Sequence, residues 1–121
     1  METDRLFYQL FLRYPQLFFE LIGEPRSWAR RYQFQSVELK ATASRIDGLF
    51  VPDAGDAPLF FVEVQFQKQP DLYARLFKEI FICLHQYRSQ QDWRAVAIFA
   101  SRATEPDAPD CRPYRGLLAA G

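Results

Sequence analysis

Two carboxylates stand in stretches of sequence that are otherwise strongly apolar. Asp47 lies in R-I-D-G-L-F (Arg45–Phe50), and Glu63 lies in L-F-F-V-E-V-Q-F-Q-K (Leu59–Lys68). From Phe60 to Gln67 the residues alternate, with Phe60, Val62, Val64 and Phe66 on one face and Phe61, Glu63, Gln65 and Gln67 on the other. This is the period of a strand, built from the aromatic and β-branched residues that sheets favour. A carboxylate in the middle of so apolar a strand costs free energy unless it is paired, hydrogen-bonded or bound to a metal. Two such acids on neighbouring strands, with a glutamine two residues past the second, suggest a divalent-cation site.

Register decides whether the two acids can meet. In a hairpin that sets Asp47 opposite Glu63, paired positions sum to 110, Pro52 faces Pro58, and five residues are left for the loop. A slip of one residue would send the carboxylates to opposite faces, because the side-chain period is two. Gly48, beside Asp47, is a place where a bulge can correct such a slip.

The elements that must position these residues follow from periodicity. Asp4–Ile22 reads as an amphipathic helix capped by Thr3 or Asp4, with Leu6, Phe7, Leu10, Phe11, Leu17, Phe18 and Leu21 at three- and four-residue spacing. Pro15 predicts a break near Tyr14, and Gly23 and Pro25 end the segment. Tyr32–Lys40 is a first strand, Ala43–Val51 a second and Leu59–Gln67 a third, joined as an antiparallel meander through the turn Pro52–Asp56. Pro70–Arg88 returns to helical spacing through Tyr73, Leu76, Phe77, Ile80, Phe81, Leu84 and Tyr87. Trp93–Ala100 is a continuous apolar run, expected as a strand buried on both faces and parallel to the third. Residues 103–121 show no periodicity and read as an irregular tail after a domain spanning 1–102.

Composition narrows the possibilities. The chain has 121 residues, 49% of them hydrophobic and 17% aromatic, which suits one globular domain rather than a disordered segment. Its apolar runs are too short to span a membrane, and no signal-peptide pattern opens it. Fifteen basic and fifteen acidic residues cancel, so global charge does not announce a nucleic-acid binder. A single histidine, His85, rules out a His-rich metal centre, and Cys83 and Cys111 lack metal-binding spacing, as expected of reduced thiols in a cytoplasmic protein. Arg75 and Glu79 are four residues apart and read as a solvated helix pair. Twelve Phe, six Tyr and two Trp exceed what a small core hides, which points to a homodimer or larger homo-oligomer.

The order helix, three strands, helix, strand, with Asp on the second strand and E-x-Q on the third, is similar to the core of the PD-(D/E)XK nuclease superfamily. More narrowly, D-R-L-F-Y-x-L-F-x-x-Y-P (Asp4–Pro15), R-I-D-G-L-F, F-V-E-V-Q and Y-x-R-x-F-x-E-I-F (Tyr73–Phe81) resemble the Rpn branch, the recombination-promoting, transposase-like nucleases. The resemblance implies a restriction-endonuclease-like α/β fold, a four-stranded mixed sheet flanked by helices. It also implies a metal-dependent DNA endonuclease. On that basis Asp47, Glu63 and the backbone carbonyl of Val64 hold Mg²⁺ or Mn²⁺, and Glu20 on the first helix is a further candidate ligand. Gln65 takes the catalytic place usually held by Lys, so a Gln65→Lys change is expected to keep or raise activity. Arg75 and Lys68 are candidate phosphate contacts. Relatives of this kind continue further, so the final P-Y-R-G-L-L-A-A-G reads as a shortened C-terminal part. Two other functions fit the same residues: an inactive, self-associating derivative of the fold, and a DNA-binding module that does not cleave.

Overall fold

Pro15 cannot donate the backbone hydrogen bond that a continuous helix requires, and the N-terminal helix divides there. In the computed structural model, which describes residues 2–118 and side chains from Arg5 onward, α1 is Glu2–Arg13 and α2 is Gln16–Leu21. The expected caps, Thr3 and Asp4, have side chains outside the described ones. Gly23, at φ +80°, ends α2 in the left-handed conformation that glycine adopts most easily.

The two helices bury only part of the stripe that the spacing predicts, its phenylalanines and not its leucines. Phe11, Phe18 and Phe19 are fully buried, whereas Leu6, Leu10, Leu17 and Leu21 are exposed. A single helical count cannot run through Pro15, so the phase of α2 is set by its own contact with the sheet. Phe7, Tyr8 and Phe11 form the inward side of α1.

The sheet is as expected. β1 (Tyr32–Leu39), β2 (Ser44–Pro52), β3 (Leu59–Gln65) and β4 (Trp93–Phe99) lie in the order β1-β2-β3-β4. The first two pairings are antiparallel and the last is parallel, across the helix α3 (Leu72–Gln86). One face of the sheet packs on α1 and α2 through a cluster of rings. Phe50 lies 4.5 Å from both Phe18 and Phe34 between ring centroids. The other face sets Val37, Leu39, Ile46, Leu49 and Phe61 against Leu76, Phe77, Ile80 and Cys83 of α3. Among the described residues no helix is long and apolar enough to cross a membrane.

Three local features shape the surroundings of the two acids and the outer edge of the sheet. Gln35 pairs with Leu49 but Val37 pairs with Ile46, so two steps along β1 span three along β2, and the extra residue falls at Asp47–Gly48. A Cβ at Gly48 would lie 2.9 Å from Tyr8 Cε1 and 3.1 Å from Phe34 Cζ. Gly48→Ala is therefore expected to cost about 1–3 kcal/mol through overpacking, read as a lower urea midpoint with unchanged slope. At the end of α3, Gln86 donates through Nε2 to the Glu38 carbonyl and accepts at Oε1 from the Lys40 N–H, both at 2.9 Å.

Two expectations are corrected. β4 is half-buried along most of its length rather than buried on both faces, because it is an edge strand with β3 as its neighbour. The tail is not irregular coil. It turns through Arg102–Thr104, a short helix α4 (Ala108–Cys111) and Arg112–Leu117, and stacks Tyr114 on Phe77 at 5.6 Å. Prolines hid these turns from any periodic count, and residues 119–121 lie outside the described ones.

Candidate functional site

Leu49 pairs with Phe61 and Phe50 with Phe60, the register expected from the sequence. Continued two residues further, it would set Asp47 against Glu63. The ladder stops first, where β2 bulges, while β3 stays paired with β4 as far as Gln65 and Phe99. The two strands thus part where the acids lie. Asp47 and Glu63 line one cleft of about 420 Å³ that Arg5, Tyr8 and Gln9 of α1 and Arg45 of β2 complete. They also line a smaller space of about 60 Å³ on the α3 side, beside Arg75 and Glu79.

The opening between the strands exposes backbone as well as side chains. The Val64 N–H donates to the Tyr8 hydroxyl at 3.0 Å. In a strand the N–H and C=O of one residue point to the same neighbour, so the Val64 carbonyl also faces the gap that β2 vacates. The next carbonyl, that of Gln65, turns the other way and accepts from the Ala100 N–H.

Charge in the cleft is mixed. Glu63 has a side chain only 16% exposed, with its Oε1 3.7 Å from Nη1 of Arg75. Arg75 also donates to Gln69 Oε1 at 3.1 Å. Asp47 is half-exposed and accepts from Arg45 Nε at 3.3 Å. Burial raises the pKa of Glu79, Arg75 and Lys78 oppose that rise, and Asp47 adds to it. Among the described residues no group of three or more His, Cys, Asp and Glu is arranged to hold a metal ion. The anionic oxygen donors along the cleft are the carboxylates of Asp47 and Glu63, with neutral side-chain oxygens of Tyr8, Gln9, Gln35 and Ser36 on the same lining.

Other predicted residues fall elsewhere. Gln65 is 5% exposed and its Nε2 donates to the Gln67 carbonyl at 2.7 Å, outside the cleft lining. β3 ends at Gln65, and the side chain folds back onto the following turn. A Gln65→Lys change therefore carries a cost in stability beside its expected effect on activity. An ammonium in that buried place is predicted to lower the thermal midpoint, with or without a cation present. Glu20 pairs with Arg26 at 2.7 Å beside Leu17 and Leu21, so it leaves the candidate ligand set. Lys68 pairs with Asp107 at 2.7 Å.

Sequence reasoning missed Arg5, Tyr8, Gln9 and Glu79. The α1 residues sit on a helix whose apolar stripe drew all the notice. Glu79 looked like half of a surface pair, although its place one turn after Arg75 on the helix that follows β3 was a usable signal.

The comparisons with known proteins bear on the whole of this arrangement. A family described as "Protein of unknown function (DUF2887)" matches residues 3–121, taking in both acid-bearing strands, α3 and the tail. No curated protein and no solved structure matches the chain. With nearly its full length matched, the chain belongs to the DUF2887 family.

Proposed function

We propose that this chain is a divalent-cation-dependent endonuclease that hydrolyses phosphodiester bonds in DNA, of the PD-(D/E)XK and Rpn-like kind. The observation that supports it most is the parting of β2 from β3 where Asp47 and Glu63 line one cleft. Two carboxylates and the Val64 carbonyl are hard oxygen donors, and such a set fits Mg²⁺ or Mn²⁺, which keep several waters. When bound, the ion supplies Lewis-acid polarisation of a phosphoryl oxygen and a more acidic water.

The chain's own residues do the rest. Arg5 and Arg45 on the cleft wall offer positive charge to phosphate oxygens. Arg75, 3.7 Å from Glu63, would compete with a bound cation for that carboxylate, and Glu79, one turn on, is a second acid whose charge it favours. Tyr8 fixes Val64, and with it the direction of the carbonyl beside Glu63. Cys83 and Cys111 are both free, which suits a reducing compartment such as the cytoplasm.

A second reading, an inactive derivative of the fold, draws on Gln65, whose amide is committed to the Gln67 carbonyl instead of facing the cleft. One experiment separates the two. Supercoiled plasmid is incubated with the protein in Mg²⁺, Mn²⁺ or chelator, and a gel shift is run in chelator. Nicking that needs the cation is expected. Retardation of DNA without nicking would leave a binding module, and neither effect would leave the inactive derivative.

A further inference from the structure

The outer edge of β1 can be read group by group. The Asp53 N–H donates to the Arg31 carbonyl at 2.7 Å, so odd-numbered residues of β1 turn their N–H and C=O toward β2. Residues 32, 34, 36 and 38 turn theirs outward. The bulge lies on β2 and leaves this phase intact, as the two Gln86 bonds to Glu38 and Lys40 require.

Parts of this edge are satisfied within the chain. The Tyr32 N–H donates to the Ala29 carbonyl, and Gln86 covers the Glu38 carbonyl and the Lys40 N–H. Among the described residues, the Tyr32 carbonyl, both groups of Phe34, both groups of Ser36 and the Glu38 N–H have no such partner. Gln33, Gln35 and Ser36 are exposed, so this stretch opens to solvent.

The open groups form a palindrome about Gln35. A two-fold axis there sets Phe34 opposite Ser36 and Tyr32 opposite Glu38, and every open donor meets an open acceptor. The two covered groups, the Tyr32 N–H and the Glu38 carbonyl, then face each other at the ends of the ladder, where Ala29 and Gln86 already fill the space between them. The central Phe34–Ser36 bonds thus carry the pairing. Neighbouring registers fail. With Phe34 opposite Phe34, the Ser36 carbonyl meets the occupied Tyr32 N–H. With Ser36 opposite Ser36, the Phe34 N–H meets the occupied Glu38 carbonyl.

We propose that the chain forms a two-fold dimer in which β1 pairs antiparallel with β1 of a second copy about Gln35, joining two four-stranded sheets into one. An open edge is otherwise a template for indiscriminate pairing, and an isologous contact closes it. Phe34, Gln35 and Ser36 also wall the cleft that holds Asp47 and Glu63, so the dimer sets its two clefts on either side of the axis. The pairing itself does not depend on the nuclease reading.

Sedimentation of the full chain at micromolar concentration tests this. The parent should sediment as a dimer. Gln35→Lys sets like charges opposite each other across the axis and should sediment as a monomer with an unchanged far-UV circular dichroism spectrum. Gln35→Cys, made with Cys111→Ser, places two thiols at a non-hydrogen-bonded pair with Cα atoms about 4.5 Å apart, within disulfide reach. Oxidation should give a covalent dimer, and Gln33→Cys in the same background should not. A monomeric parent overturns the proposal. So does a dimer that survives Gln35→Lys and fails to cross-link at position 35.

Discussion

Glu63→Gln is expected to lower cation-dependent nicking by at least about 100-fold, because losing even an outer partner of a metal ligand costs 10- to 100-fold. Asp47→Asn should do the same. Both substitutions keep the side-chain shape and remove the anionic charge that a hard cation requires. Melting curves give a readout apart from activity. Mn²⁺ should raise the midpoint of the parent by mass action and leave both variants where they were. Arg75→Ala is expected to shift the Mn²⁺ response to lower concentration, since the guanidinium 3.7 Å from Glu63 competes for the same carboxylate. A parent and variants that respond to Mn²⁺ alike would take Asp47 and Glu63 out of any metal site.

Phe50→Ala should be among the most damaging single changes to stability. Its ring is fully buried between Phe18 and Phe34 and touches Phe11, Phe19 and Tyr32 as well. Truncation leaves a cavity among rigid rings that cannot collapse, so the loss should be about 3–5 kcal/mol. That is a large part of the roughly 5–15 kcal/mol that holds a domain together. Urea denaturation measures it directly. Phe81→Ala is the comparison: its ring is 49% exposed, and its loss should cost far less. Similar losses at the two positions would mean that the aromatic layer is not the main core.

The hairpin was legible in the sequence from strand alternation and the turn between its two prolines. Of the registers left open, the structure takes the one whose paired positions sum to 110. That register carries Asp47 and Glu63 to the same cleft, with the bulge falling at Asp47–Gly48. Gln65 shows what such alternation leaves open. Alternation gives the face of a strand residue, but not whether the strand ends there and the side chain bonds its own turn. The leucines of α1 and α2 show a second limit, since hydrophobic spacing cannot tell a stripe that is buried from one left exposed when aromatic residues compete for the sheet. Tyr8 was out of reach altogether. Its bond to Val64 joins residues 56 apart in the chain, and nothing local signals it.

The amide of Gln86 gives the molecule a timing problem. It reaches 48 residues back to the Glu38 carbonyl and 46 back to the Lys40 N–H. During synthesis, β1 and β2 leave the ribosome and can pair long before the last turn of α3 exists. Throughout that interval the β1 edge is open at both of those groups, on a nascent hairpin with little core behind it, and other unfinished chains are its nearest partners. Gln86 is thus a guard that arrives late. Its removal should show itself less in the finished protein's melting point than in the yield of soluble material when the chain refolds at high concentration.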